Sequence, residues 1–151
     1  MIGAGVEFFL ICLIILLHEL AHGFTGRFLG LQINEIELYP FGGVAKIEEQ
    51  LELEPYVERR LAWAGPAANL ALAGLGIIFY VRLAQGPALL LFFIQANLLL
   101  GTFNLLPALP LDGGRILRAY LTPHRGFRAA TEQAALLGQI LAVLLFAAGL
   151  F

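Results

Sequence analysis

Residues 6–29 of the chain read VEFFLICLIILLHELAHGFTGRFL, an apolar stretch whose middle carries His18, Glu19 and His22. A helix rises about 1.5 Å per residue, so about 20 apolar residues cross the roughly 30 Å of hydrocarbon in a bilayer. The stretch is therefore long enough to span a membrane. No basic residue precedes Arg27, so it lacks the positively charged start of a cleavable signal peptide. We expect a retained transmembrane helix.

The composition extends this membrane character to the whole chain. Of 151 residues, 60% are hydrophobic and 13% are charged, and the mean hydropathy is +0.84, whereas soluble domains carry about 25% charged residues. The net charge of -2 argues against nucleic-acid binding, and a single cysteine, Cys12, excludes a disulfide framework or a cysteine-based zinc cluster within the chain. The sequence predicts one membrane-embedded domain over residues 1–151, with the lipid bilayer as a partner and no nucleic acid.

Three further apolar stretches are long enough to cross the bilayer. Together with the first, at about residues 6–29, they predict an all-α multi-pass membrane protein with about four transmembrane helices. The other three spans are expected at about residues 61–83, 87–106 and 129–151.

The basic residues predict how these spans are oriented. Of the nine Lys and Arg residues, all but Arg82 lie on or next to the connections of one side. Because short loops rich in Lys and Arg stay in the cytoplasm, we expect residues 30–56 and 107–127 to be cytoplasmic. Both termini of this cell (inner) membrane protein are then expected outside.

The first of these cytoplasmic segments does not have a helical pattern. Residues 32–49 read QINEIELYPFGGVAKIEE, in which side chains alternate between two faces before a turn at Pro40, Gly42 and Gly43. Period-two alternation interrupted by Pro and Gly is typical of short strands. We expect a small membrane-associated β-hairpin at about residues 32–49.

The polar residues of the first span form an H-E-x-x-H motif, His18-Glu19-Leu20-Ala21-His22. Four residues advance a helix by about 400°, so the two imidazoles lie on one face and one turn apart. That spacing lets both bind one divalent metal, usually zinc, while Glu19 reaches a metal-bound water without being a ligand. Such a water is activated for hydrolysis when a carboxylate takes its proton.

Three ionisable residues in one turn of a span indicate a function, because each costs about 2.5 kcal/mol or more at mid-bilayer. Two other interpretations stay open at this point. The three side chains could hydrogen-bond between helices, or they could form an intramembrane path for a proton or a metal ion.

A catalytic zinc needs a third protein ligand and an open position. His124 lies in a basic loop and is expected at the surface, and the glutamates of the strand region are expected on a solvated face. Asp112 follows the third span in the helix-breaking segment LPALPLDGGR. From spacing alone, Asp112 is equally well explained as a metal ligand or as the N-cap of a helix over residues 113–121.

Four motifs, in this order, resemble the site-2 protease family, the intramembrane zinc metalloproteases, in its compact bacterial or archaeal form. They are HELAH at 18–22, FGGVAKIE at 41–48, AGPAAN at 64–69 and NLLPALPLDGGR at 104–115. The resemblance implies one Zn²⁺ per chain bound by His18, His22 and Asp112, with Glu19 as general base and acid. It also implies that Asn104 lies close to the catalytic centre.

Asn104 and the strand at residues 43–45 keep two interpretations each, whereas Asn69 has one. Asn104 either donates to the developing oxyanion or holds the broken backbone before Pro107. The strand at Gly43, Val44 and Ala45 either pairs with an unwound substrate or only closes the cytoplasmic mouth. Asn69 is expected to pack between helices.

These observations lead to one hypothesis and one alternative. We expect a zinc endopeptidase that hydrolyses peptide bonds in or near transmembrane segments of single-pass membrane proteins, as in regulated intramembrane proteolysis. The alternative is a metal or proton transporter that uses the intramembrane His, Glu and Asp residues. The chain lacks the paired halves with broken helices that many transporters have, and a catalytically inactive scaffold is disfavoured because every residue of the mechanism is present.

Overall fold

The computed structural model describes residues 3–31, 33–39, 42–47, 53–83 and 86–149. In these ranges the chain forms five helices and two strands. In chain order they are α1 (Ala4–Phe28), β1 (Ile33–Tyr39), β2 (Gly42–Ile47), α2 (Pro55–Arg82), α3 (Ala88–Asn104), α4 (Asp112–Arg125) and α5 (Phe127–Ala148).

Helix α1 ends in a glycine motif that turns the chain toward the strands. Gly30 has a φ of 80°, which residues with a Cβ rarely adopt. The N–H of Leu31 donates to the carbonyl of Gly26 at 3.0 Å, and the N–H of Gly30 donates to that of Arg27 at 3.1 Å. This is the Schellman arrangement, in which two of the last carbonyls of a helix find donors.

The two strands that follow pair antiparallel and pack against α1. Tyr39 is opposite Gly42, Leu38 is opposite Gly43 and Ile36 is opposite Ala45. An irregularity between Ile33 and Glu35 interrupts the register. Pro40, expected in the turn, lies outside the described residues.

The chain divides into two compact units. The first comprises Met1–Glu49 and Ala64–Thr102, and so contains α1, the two strands, most of α2 and nearly all of α3. In this unit α2 and α3 pack closely at Gly76, where a Cβ would lie only 2.7 Å from Cγ1 of Ile94. A small residue at this point lets the two helices approach, as is common between membrane helices.

The second unit comprises Gln50–Trp63 and Phe103–Phe151, and in it α4 packs against α5. The segment between α3 and α4 follows a non-helical path, with the N–H of Leu109 donating to the carbonyl of Ala134 at 3.2 Å. A Cβ on Gly113 would collide with the carbonyl oxygens of Leu105 and Leu106. The glycine after Asp112 therefore lets this segment fold back onto the first turn of α4.

Three helices are long and apolar enough to cross a membrane: Gly5–Phe28, Pro55–Arg82 and Phe127–Ala148. Large apolar side chains on them, such as Phe8, Phe9 and Phe146, are exposed. These are the properties of a membrane protein. Helix α3 is apolar but has only 17 residues, so by length the described residues contain three candidate spans and not the expected four.

The helix limits also differ from the predicted spans. Helix α2 begins at Pro55 and not near residue 61, since proline is well tolerated at the first helical position and the charged turn that follows remains helical. Helix α3 ends at Asn104, before the expected limit at 106, because the N–H of Leu106 donates to Phe103 in a tight turn that closes the helix. Helix α4 occupies much of the segment expected between spans.

Candidate metal centre

The two histidines of the motif lie on one face of α1 and are buried. His18 is 4% exposed and His22 is 7% exposed. Their Nε2 atoms lie 3.2 Å apart, and their rings meet edge to face with centroids 4.8 Å apart. The helix therefore places two imidazole nitrogens next to each other, as the four-residue spacing predicts.

This separation fits two ligands of one zinc ion. In a tetrahedral site with Zn–N bonds of about 2.05 Å, two nitrogens lie about 3.3 Å apart. The observed distance of 3.2 Å is close to that value. Nitrogen donors of this type are among the preferred ligands of zinc. The donor pair thus fits the metal that the sequence predicts.

Helix α2 presents bare backbone to this point. A Cβ on Gly65 would lie 2.5 Å from Nε2 of His18 and would contact Nε2 of His22 even more closely. Gly65 is the glycine of the AGPAAN segment and is itself buried. Only glycine therefore leaves room at position 65 for both ring nitrogens and anything they bind.

The other ring nitrogen of His18 has a partner one turn further along α2. His18 Nδ1 donates to Oδ1 of Asn69 at 2.5 Å. The amide nitrogen of Asn69 donates in turn to Oδ1 of Asn97 at 2.9 Å, and that of Asn97 donates to the carbonyl of Phe93 at 2.9 Å. Metal-bound histidines commonly have such a partner on the second nitrogen, which orients the ring.

Sequence reasoning expected Asn69 to pack between helices, and its burial and its hydrogen bonds to α1 and α3 confirm this. The sequence did not predict that Asn69 contacts His18, and it did not single out Asn97. One clue was available, because Gly65 and Asn69 are four residues apart and so share a helix face. The contact with Asn97 joins residues 28 apart in the sequence, and no local pattern predicts it.

Glu19 lies next to His18 on α1, about 100° around the helix, and is half-buried. Position 19 is thus displaced around the helix from positions 18 and 22. The H-E-x-x-H motif predicts this placement for a residue that is not itself a ligand.

Asp112 belongs to the second unit and is the first residue of α4. It is 6% exposed, and Nη1 of Arg115 lies 3.6 Å from its Oδ1. The N-cap of α4 is Leu111, whose side chain makes no capping hydrogen bond. The interpretation of Asp112 as the N-cap is therefore wrong, because the helix already includes it.

The remaining predicted residues lie as follows. Asn104 is the last residue of α3 and is half-buried. Gly43, Val44 and Ala45 lie in β2, opposite residues 38, 37 and 36 of β1. His124 is exposed on α4, as expected of a surface histidine.

Comparison with known proteins gives consistent matches over nearly the whole chain. The model of Peptidase family M50 matches residues 6–88 and 81–148. A Mycobacterium tuberculosis protein named Rip3 is 39% identical over 157 residues, which cover 99% of this chain and 39% of that protein. A zinc metalloprotease of Methanocaldococcus jannaschii is 37% identical over 149 residues, which cover 97% of this chain and 43% of that protein.

A solved structure is similar to this chain in fold as well as in sequence. The site-2 protease from Methanocaldococcus jannaschii superimposes with a TM-score of 0.80 at 36% identity, over 99% of this chain and 69% of that one. The chain spans about two fifths of the length of the two curated relatives, whose matched shares are 39% and 43%.

Proposed function

The chain belongs to peptidase family M50, and on that premise we propose that it is an intramembrane zinc endopeptidase. Its substrates would be single-pass membrane proteins, cut in or near the transmembrane segment. The observation that carries the proposal is the pair of buried imidazole nitrogens 3.2 Å apart on α1, a helix long enough to cross the bilayer.

We propose that one zinc ion per chain is held by His18, His22 and Asp112. The spacing of the two histidines suits zinc. The similar protein from Methanocaldococcus jannaschii is named a zinc metalloprotease. Asp112 is buried beside Arg115, and a buried carboxylate is usually paired with a cation or bound to a metal. Two imidazoles and one carboxylate make three protein ligands, which leaves the fourth position for water or substrate.

The protein's own groups would then carry the proton transfers. Zinc, when bound, lowers the pKa of water toward 7 and polarises the scissile carbonyl. The Glu19 carboxylate accepts the proton of the attacking water and returns it to the nitrogen of the leaving amine. One water is consumed, one C–N bond breaks, and the products are a carboxylate and an amine.

Two further roles are proposed, one for Asn104 and one for three residues of β2. The amide of Asn104, at the end of α3, donates to the oxygen that becomes negative as water attacks. The β2 residues Gly43, Val44 and Ala45 pair with an unwound stretch of the substrate. Among the described residues β2 pairs with β1 alone, so an added strand could pair with its other edge. An extended substrate exposes the peptide bond that a helix keeps hidden.

We propose a topology with four crossings in the cell (inner) membrane. Helix α3 has 17 residues, or about 25 Å at 1.5 Å per residue, which is a short span that a locally thinned bilayer accommodates. Residues 30–56 and 107–127 are then cytoplasmic, with both termini outside. Substrate fragments would be released on the cytoplasmic side.

The family match favours this protease over the metal or proton transporter considered from sequence.

Purified protein in detergent, loaded with zinc and incubated with a panel of single-span membrane proteins, tests the proposal. Wild-type protein is expected to cut at least one of them. Glu19→Gln is expected to bind zinc normally and to cut none. Glu54→Gln is the matched control, since Glu54 is exposed before α2. A panel left intact by wild-type protein, together with zinc transport by that protein in liposomes, would rule out the protease.

A further inference from the structure

Three buried side chains in the first unit form a continuous hydrogen-bonded line from α1 through α2 to α3. The line runs from His18 to Asn69 at 2.5 Å, from Asn69 to Asn97 at 2.9 Å, and from Asn97 to the carbonyl of Phe93 at 2.9 Å. We propose that Asn97 and Asn69 are a directional relay that fixes the tautomer of His18 and so keeps its Nε2 available to metal. The inference rests on the proposed zinc site.

The carbonyl of Phe93, at the end of the line, determines which way each amide is oriented. A backbone carbonyl only accepts hydrogen bonds, so Asn97 must turn its NH₂ group to Phe93 and its oxygen to Asn69. Asn69 then meets that oxygen with its own NH₂ group and turns its oxygen to His18. Each amide is thereby oriented by the one beyond it.

The last step of the relay acts on the imidazole. An amide oxygen accepts but does not donate, so His18 Nδ1 must carry the proton. In a neutral imidazole the other nitrogen then carries a lone pair. That nitrogen is Nε2, which faces Nε2 of His22 at 3.2 Å. The carbonyl of Phe93 thus determines, through two side chains, which nitrogen of His18 can bind a metal.

Burial makes the relay hard to replace. Asn69 and Asn97 are both 0% exposed, so bulk water does not compete for their amides. Within the described ranges, no fully buried side-chain nitrogen or oxygen lacks a hydrogen-bond partner. Removing the Asn97 amide would therefore release Asn69 to rotate and offer its NH₂ group to His18. The opposite tautomer, with the proton on Nε2, cannot bind metal through that atom.

Asn97 is accordingly a positioning residue that touches neither metal nor substrate. The first test is the ¹⁵N NMR spectrum of the histidine rings in metal-free wild-type protein, at a pH well above the ordinary histidine pKa of about 6.5. His18 is expected to be protonated on Nδ1 alone. An Nε2-protonated His18 in wild-type protein would overturn the relay, and this measurement needs no variant and no zinc.

The second test compares Asn97→Leu with Gln95→Leu, the same loss of an amide at an exposed position of α3. Asn97→Leu is expected to give a mixture of His18 tautomers and to weaken zinc binding by about 10- to 100-fold, as for other partners of metal-bound histidines. Gln95→Leu is expected to change neither. Zinc dissociation constants would be measured by competition with a fluorescent chelator. Unchanged tautomer and affinity in Asn97→Leu would overturn the relay.

A rescue variant separates positioning from packing. Asp at position 69 accepts a hydrogen bond whichever way its carboxylate faces, so it needs no orienting neighbour. Adding Asn69→Asp to Asn97→Leu is expected to restore Nδ1 protonation of His18 and to return zinc affinity toward the wild-type value. Failure of this rescue would assign the loss to packing and overturn the relay. Wild-type protein that binds no zinc but has the Nδ1 tautomer would contradict the proposed function and support the relay.

Discussion

Gly65 of α2 lies so close to His18 of α1 that a Cβ at position 65 would be 2.5 Å from the ring nitrogen Nε2. Real Cβ atoms do not approach so closely, and the same Cβ would collide with Nε2 of His22. The space that the two imidazoles share is thus bounded by glycine backbone, and both nitrogens are buried.

Gly65→Ala is expected to displace both imidazoles and to weaken zinc binding by more than about 10- to 100-fold, the usual cost of losing a ligand's hydrogen-bond partner. Gly74→Ala on the same helix is the matched control, because a Cβ there has no atom within 4 Å. Metal content and zinc affinity of the purified proteins check the prediction. A Gly65→Ala protein that binds zinc like wild type would contradict it.

Asp112→Ala is expected to weaken zinc binding by at least as much as Gly65→Ala, since it removes a proposed ligand. Asp112 is the only aspartate in the chain, so no other aspartate can replace it. Zinc stoichiometry after dialysis against a weak chelator is the measurement. An undiminished stoichiometry would mean that Asp112 is not a ligand.

Arg118→Ala is expected to destabilise the second unit. Arg118 Nε donates to Oε1 of Glu58 at 2.9 Å, and Glu58 is 2% exposed. Removing one partner of a buried ion pair leaves an uncompensated charge, which costs about 3–5 kcal/mol of unfolding free energy. Thermal unfolding in detergent should therefore occur at a clearly lower temperature.

The control for this change is Arg128→Ala. Arg128 pairs with Glu132 at 3.0 Å, but both side chains are largely exposed, and exposed pairs contribute little to stability. Its unfolding temperature should match that of wild-type protein. Equal unfolding temperatures for both variants would show that the buried pair is not a determinant of stability.

Val44→Pro is expected to reduce proteolysis while leaving zinc binding intact. Proline has no N–H and cannot donate in a strand, whereas Val44→Ala keeps the donor and serves as control. Cleavage rate and zinc affinity would be measured on the same preparations. If Val44→Pro cleaves as fast as Val44→Ala, β2 does not pair with the substrate.

The sequence predicts the features that depend only on the spacing of residues along one helix. The 18–22 motif predicts two imidazoles on one face because helical periodicity alone decides it, and the structure agrees. The start of α2 at Pro55 was not predicted, because a span predicted from hydropathy begins only after the charged turn that contains Glu58. That carboxylate is paired with Arg118, 60 residues away. The amide pair of Asn69 and Asn97 depends in the same way on tertiary packing, which no single stretch of sequence encodes.

Hydrolysis by wild-type protein in H₂¹⁸O, with mass spectrometry of the products, tests the central claim most directly. A single-span substrate would be reconstituted with the zinc-loaded enzyme in vesicles. The account predicts a new carboxyl terminus that carries ¹⁸O from water, located in or near the substrate's apolar segment and absent when Glu19→Gln replaces the wild type. Formation of the same product by Glu19→Gln, or a cut confined to the soluble part of the substrate, would contradict the account.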